Sequence, residues 1–253
     1  LYTLAFAQYA ASQRAVDRVA VAGDLRSSTA RILRAAVAAL RAQDIEVLNC
    51  GRVPTPTVAA YARKRSIPCL MVTGSHIPDD RNGIKFYLPA GETLKQDEQE
   101  ISARHQALVQ DAAVDHLFDD DGSFREPVDD LPEADPAACN EYRQRYLDFF
   151  PDNMLQGMRL VYYEHSAVIR DEFPPLLEQL GADVVRIQRA DGFVAVDTEA
   201  VSNPDELAAW VKEHQAHALV STDGDSDRPL LVDEQGGVFR GDVLGIVVSD
   251  YLQ

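Results

Sequence analysis

The chain has 253 residues, 46% of them apolar and 26% charged, which suffices for one large or two medium domains of ~100–200 residues with a sizeable core. Forty-one acids against 24 bases leave a formal charge of −17, which argues against nucleic-acid phosphates or an anionic membrane surface as the main partner. No apolar run approaches the ~20 residues of a bilayer span, so no membrane partner is expected.

In chain order, residues 1–11 lack a basic leading region and give way to Arg14, Asp17 and Arg18, so they do not read as a secretory signal. An apolar run over 19–23 reads as a buried strand, and 27–42 carries small apolar residues at helical spacing. Strand 45–49, a short helix over 57–65 and strand 69–73 follow. The chain then enters a loop that strand 84–88 leaves. Residues 111–135 hold ten acids and one base, Arg125, and supply −9 of the net −17. Pro127 and Pro132 disfavour a continuous helix there, so the stretch reads as a solvated connection between domains. It lacks the alternating aspartates and distal glutamate of a calcium loop.

The second half repeats the pattern. A strand opens at Leu160, a helix ends at the natural C′ glycine Gly181, and 183–187 is a strand. Asn203 and Pro204 start a helix, strand 217–221 enters a loop, and strand 229–233 leaves it. Residues 59–61 match 208–210 at an offset of 149, as do 69–73 and 218–222. Each half therefore reads as strand, helix, strand, helix, strand, loop, strand. The expected fold is α/β: two similar three-layer domains, each a mainly parallel sheet with one antiparallel strand and helices on both faces. The expected division is 1–135, with its acidic connection at about 111–135, and 136–253. A final helix begins near Gly241. The widely spaced Cys50, Cys69 and Cys139 suit neither a disulfide framework nor a zinc site, so buried thiols in a reducing cytoplasm are expected.

Ligands of open α/β sheets gather beyond the carboxyl ends of the strands, and both chemistry-rich loops fall there. The second loop is Thr222-Asp-Gly-Asp-Ser-Asp-Arg-Pro229. Asp223, Asp225 and Asp227 at alternate positions suit one hard, oxygen-seeking cation such as Mg²⁺, and crowded acids repel without one. An EF-hand would place Asp223, Asp225, Asp227 and Glu234 at its ligand positions, but Arg228 sits where it needs glycine, and strands flank the loop. An aspartyl phosphatase would use Asp223 or Asp225 as nucleophile, but the residue two beyond the pair is Asp227 or Pro229 instead of threonine or valine. The first loop runs from Thr73 to Lys85. Ser75 follows Gly74 at a strand end, where its hydroxyl is approachable, and His76 and Lys85 are able to move protons or hold phosphate.

Together the loops resemble those of the α-D-phosphohexomutases, the phosphomannomutase and phosphoglucomutase family. That family's phosphoserine loop reads roughly Thr-Ala-Ser-His-Asn-Pro followed by Asn-Gly-Ile-Lys; here stand Thr73-Gly-Ser-His-Ile-Pro78 and Asn82-Gly-Ile-Lys85. Asp223-Gly-Asp-Ser-Asp-Arg228 is similar to its magnesium loop, and the likeness extends through Gly23-Asp-Leu-Arg-Ser-Ser28, Gly51-Arg-Val-Pro-Thr-Pro56 and Arg240-Gly-Asp242. The wording around Ser75 and His165-Ser looks most like a bacterial phosphomannomutase branch.

The resemblance implies interconversion of hexose 6-phosphate and hexose 1-phosphate through a phosphoserine at Ser75, with hexose 1,6-bisphosphate as intermediate and activator. It implies Mg²⁺ held by Asp223, Asp225, Asp227 and the phosphorylated Ser75. Arg228 would steady the phosphoryl oxygens, Lys85 would serve as general acid–base, and His76 would help in a weaker capacity. His165 follows a strand, where it would either line the cleft or serve a structural role, the second being favoured. Family members carry four domains and open with Gly-Thr-Ser-Gly-x-Arg-Gly, both unmatched here. The expectation is therefore the first two domains, without the third and fourth, and inactive alone as a mutase. Two other readings remain: a non-catalytic sugar-phosphate or Mg²⁺ binding protein, and a Mg²⁺-dependent aspartyl phosphatase. Sugar preference and oligomeric state are not legible.

Overall fold

A computed structural model of the chain describes residues 1–111, 114, 116–119 and 123–252. Asp115, Asp120 and Asp121 of the acidic connection lie outside the described residues. The first sheet comprises β1 (Arg18–Gly23), β2 (Glu46–Asn49), β3 (Cys69–Val72), β4 (Ile84–Leu88) and the two-residue β5 (Gly91–Glu92), in the order β2-β1-β3-β4-β5. β1 pairs parallel with β2 and β3, whereas β4 returns antiparallel to β3. The second sheet repeats this order as β7-β6-β8-β9-β10, built from β6 (Arg159–His165), β7 (Asp183–Arg189), β8 (Ala218–Thr222), β9 (Pro229–Asp233) and β10 (Val238–Phe239). β9 is again the antiparallel return. Two mixed five-stranded sheets thus replace the four strands per half read from the sequence, the additions being β5 and β10.

Central strands are buried on both faces, so their side chains feed two cores each. Val19 and Val21 of β1 pack under α1 (Tyr2–Gln13) and α2 (Thr29–Arg41), while Ala20 and Ala22 face α3 (Thr55–Arg65). α4 (Lys95–Val109) lies beside α1, where Phe6 stacks on Phe86 of β4. In the second half, Val161 and Leu219 pack beneath α7 (Pro204–Glu213), and Leu160 and Ala218 face α6 (Phe173–Gln179). α8 (Gly241–Tyr251) ends the described chain with no buried residue. None of the described helices is long and apolar enough to cross a membrane.

The acidic connection is tied down at its end. Asn49 donates from Nδ2 to the Pro132 carbonyl at 2.7 Å, and Asp135 N–H donates to the Asn49 carbonyl at 2.8 Å. α5 (Ala137–Phe149) then bridges the halves: Ala138 enters the core under α3, and Glu141 pairs with Arg65 at 2.7 Å. Beyond it, Arg143 reaches Glu172 at 3.3 Å beside α6. Cys50 and Cys69 are buried free thiols, and Cys139 on α5 is half-buried.

Candidate active site

Both loops leave the carboxyl end of the third strand of their repeat, β3 and β8, and they meet. Positions 75 and 224 are separated by the same offset of 149 that relates the repeats. A Cβ built on Gly224 would fall 2.8 Å from the Ser75 carbonyl oxygen and 2.9 Å from the Phe193 ring. Glycine is thus the residue that permits this approach. Gly224→Ala is expected to cost about 1–3 kcal/mol through overpacking against an immovable carbonyl, read as a lowered midpoint in thermal melts; an unchanged midpoint would contradict the contact.

Ser75 has a φ of +52°, a left-handed conformation that is uncommon outside glycine and typical of functional turns. Its amide donates to Thr73 Oγ1 at 2.7 Å, and Thr73 in turn donates to Asp24 Oδ2 at 2.9 Å. The hydroxyl donates to Asp223 Oδ2 at 2.6 Å and receives Arg228 Nη2 at 3.0 Å. Arg228 Nη2 also lies 2.8 Å from His76 Nδ1. A guanidinium only donates, so Nδ1 is the acceptor and a neutral His76 ring carries its proton on Nε2.

Asp223 and Asp225 are both fully buried, and ligand oxygens from Asp223, Asp225 and Asp227 lie within 4.8 Å of one another. Burial, then the neighbouring Asp225 charge, pushes the Asp223 carboxyl up to about 7. Burial also works against charge on Asp225, but Lys85 outweighs it, with Thr55 assisting, and holds that carboxyl below its usual range. Lys85 Nζ sits 2.8 Å from Asp225 Oδ2 and 2.6 Å from Asp227 Oδ2. Its pKa is raised: burial opposes the charge, but the two carboxylates overcome it. Lys85 is therefore firmly protonated here, and it becomes a ready proton donor only when released from both partners.

The donor set suits a hard divalent cation. Among the described residues, Asp225 Oδ1 is buried with no hydrogen-bond partner, and the three crowded carboxylates are paired with Lys85 and Arg228. Oxygen ligands alone, part of them unsatisfied, match Mg²⁺ better than a softer metal.

All the residues singled out in the sequence assemble at this place: Ser75, His76, Lys85, Asp223, Asp225, Asp227 and Arg228. His165 does not line the cleft. It is fully buried at the end of β6, and its Nε2 meets the Thr222 carbonyl at 2.9 Å, fixing the residue before Asp223. Burial pushes its pKa down to about 4 from 6.5. The unfolded ring takes up a proton that the folded ring refuses. The stability due to neutral His165 is thus complete above about pH 6.5 and is lost as pH falls through 4. His165→Gln is expected to flatten that acid limb in melts between these pH values; an unaltered limb would count against it.

Several partners were not legible as site residues. Thr55, the first residue of α3, donates its hydroxyl to Asp225 Oδ2 at 2.5 Å and its amide to the Asp225 carbonyl at 3.0 Å. Asp24, Arg26 and Thr73 underlie the Ser75 loop. Thr55, Asp24 and Arg26 stand in segments 51–56 and 23–28, which carried likeness to the family but no assigned role, and Thr73 opens the Ser75 loop without one.

Comparison with known proteins identifies the family. Residues 1–111 match the family description "Phosphoglucomutase/phosphomannomutase, alpha/beta/alpha domain I", and residues 143–237 match the corresponding domain II. A phosphomannomutase from Sinorhizobium fredii is 43% identical over 93% of this chain and 48% of its own length. Another from Salmonella muenchen is 40% identical over 98% of this chain and 49% of its own. The chain spans about half the length of these curated relatives. A solved phosphoglucomutase/phosphomannomutase family protein from Burkholderia thailandensis shares the fold, with a TM-score of 0.71 at 23% identity over 94% of this chain and 50% of that one.

Proposed function

The chain belongs to the phosphoglucomutase/phosphomannomutase family, and from that premise we propose that its two loops form the phosphoryl-transfer centre of a phosphohexomutase acting on a hexose phosphate. The observation that carries the reading is the Ser75 hydroxyl set between Asp223 at 2.6 Å and Arg228 at 3.0 Å. A serine that gives and receives phosphate needs an acceptor for its proton and a cation for the phosphoryl oxygens, and both are there.

In this reading Ser75 carries a phosphoryl group at rest. The sugar phosphate's free hydroxyl attacks phosphorus; the bond to the sugar oxygen forms as the bond to Ser75 Oγ breaks. The sugar proton leaves and Ser75 Oγ gains one, so the two sides balance. Reorientation of the hexose 1,6-bisphosphate and the reverse step then return the other phosphate to Ser75, with the phosphate moved from one end of the sugar to the other. Arg228 orients the phosphoryl oxygens, and His76 holds Arg228 through Nδ1. Lys85, charged on β4, supplies a proton to whichever oxygen departs. Asp223, Asp225 and Asp227 would hold Mg²⁺, whose chemistry is to offset the negative charge of the transferring group. Mannose is the favoured sugar, after the names of the relatives at 43% and 40% identity.

The test feeds the purified chain a hexose 1,6-bisphosphate carrying ³²P, with Mg²⁺, and maps the label by mass spectrometry. Label on Ser75 is expected. Its absence, or its arrival on an aspartate, would overturn the reading.

A further inference from the structure

Arg26 is the largest fully buried side chain outside the reacting groups, and the proposed chemistry leaves it without a role. Its guanidinium has five N–H donors in a rigid plane, and all five are engaged. Nε donates to Asp24 Oδ2 at 3.2 Å. Nη1 donates to the carbonyls of Pro78 at 2.7 Å and Arg81 at 3.1 Å. Nη2 donates to those of Ser75 at 3.0 Å and Ile77 at 2.5 Å. Four of the five bonds therefore gather the backbone of one loop, 75–81, around a single buried cation. The loop lies directly on it, since a Cβ on Gly74 would fall 2.7 Å from Arg26 Cζ.

Asp24 closes the network from beneath. Its oxygens accept from the Arg26 amide at 3.1 Å, Thr29 Oγ1 at 2.6 Å and Thr73 Oγ1 at 2.9 Å. Both members of the Asp24–Arg26 pair have 0% side-chain exposure. A buried ion pair of this kind contributes little net stability but fixes one geometry, because a displaced partner leaves a desolvated charge.

The remaining face is covered from the other half of the molecule. The Phe193 ring, in the loop after β7, lies with its centroid 3.9 Å from Arg26 Cζ. The same ring abuts Gly224 in the aspartate loop, within 2.9 Å of where a Cβ would stand. A cation over an aromatic face gains more in a dry setting than in water.

We propose that Arg26 is the positioning residue of the Ser75 loop, and that Phe193, reaching from the second domain onto its guanidinium, makes the placement of the Ser75 hydroxyl depend on the docking of the two domains. The proposal rests on the reading that Ser75 accepts phosphate, but its structural half stands apart from it. With Phe193 withdrawn, water reaches the guanidinium and competes for the loop carbonyls. Ser75, a non-glycine residue in the left-handed region, then loses its restraint.

The test uses Arg26→Lys and Phe193→Leu in the whole chain. Lysine keeps the charge but offers three donors from one point, which cannot span four carbonyls. Leucine keeps apolar bulk but lacks the aromatic face. Hydrogen exchange is followed at the amides of Ser75, Ile77, Arg81 and Gly83, all hydrogen-bonded within the loop. In Phe193→Leu these are expected to exchange about tenfold faster, with β1 and β6 unchanged. In Arg26→Lys the expected increase is about a hundredfold. Labelling of Ser75 should lose maximal rate in the same order, with the half-saturating bisphosphate concentration held within about twofold. Unchanged loop exchange in Arg26→Lys would overturn the positioning role, and unchanged exchange in Phe193→Leu would overturn the link between domains. If Arg26→Lys fails to fold, Phe193→Leu decides: a rise confined to the loop sustains the proposal, and a uniform rise or none refutes it. If wild type takes up no label while loop exchange responds as expected, the function assigned to Ser75 fails and the positioning role stands.

Discussion

Ser75→Ala is expected to abolish phosphate uptake from hexose 1,6-bisphosphate, a fall of at least about a thousandfold, the scale seen when a covalent nucleophile is deleted. Most neighbouring polar groups are already committed. His76 has its Nδ1 committed to Arg228, and Lys85 is held protonated between Asp225 and Asp227. Asp223 uses Oδ1 for the amides of Asp227 and Arg228 and Oδ2 for Ser75, while Asp225 Oδ2 is bonded by Thr55 and Lys85. The variant should still fold, because alanine keeps the Ser75 amide and carbonyl, which make the bonds to Thr73 and Arg26. The chemistry of the label separates the mechanisms. A phosphoserine survives hydroxylamine, whereas an aspartyl phosphate is cleaved by it. Label that persists in Ser75→Ala and is released by hydroxylamine would show an aspartyl phosphatase. Wild type that never takes label yet still binds the sugar phosphate would show a binding protein.

The strands that position this site were legible because each is a nearly unbroken apolar run, as a strand covered on both faces must be. Val19 to Ala22 and Cys69 to Val72 are buried throughout. The helix with a clear apolar stripe was also readable, α2 coming within two residues of 27–42 at each end, and α3 begins two residues before the expected Thr57. The helices that escaped notice lack such a stripe. α1 is apolar on most sides, and α4 buries only Ile101 and Leu108. β5 and β10 are two residues each, too short for any alternation to register. The site divides in the same way. Ser75 and the aspartates stand in loops whose residue order is itself chemical. Thr55, Arg26 and Phe193 act through partners 170, 49 and 167 positions away along the chain. Arg26 meets a distant loop of its own sheet, while Thr55 and Phe193 meet partners in the other half, and no spacing in one sequence encodes either encounter.

Asp223→Asn is expected to do two opposite things. Without divalent metal above pH 7 it should raise the melting midpoint by several degrees, at ~2–4 °C per kcal/mol for a chain of this size. The reason lies in the sign of its shift. Burial and the Asp225 charge carry the Asp223 carboxyl from 3.8 up to about 7. Across that window the folded chain keeps a proton that the unfolded chain has released. The contribution of Asp223 to stability therefore falls as pH rises through the window and is fully adverse above it. Asparagine carries no charge to desolvate, and its oxygen still accepts from the amides of Asp227 and Arg228, which Asp223 Oδ1 meets at 3.2 and 3.3 Å. With Mg²⁺ at a hundred times its dissociation constant, wild type should gain ~2.7 kcal/mol from binding to the folded state alone. The variant, short of one carboxylate, should gain little and should take almost no phosphate on Ser75. The ranking of the two proteins then reverses when metal is added, and chelation restores it. Melts of both proteins at pH 8, with Mg²⁺ and with a chelator, read this directly. A variant less stable than wild type in chelator, or a wild type indifferent to Mg²⁺, would mean that the three aspartates are not strained by their own charge and do not hold a cation.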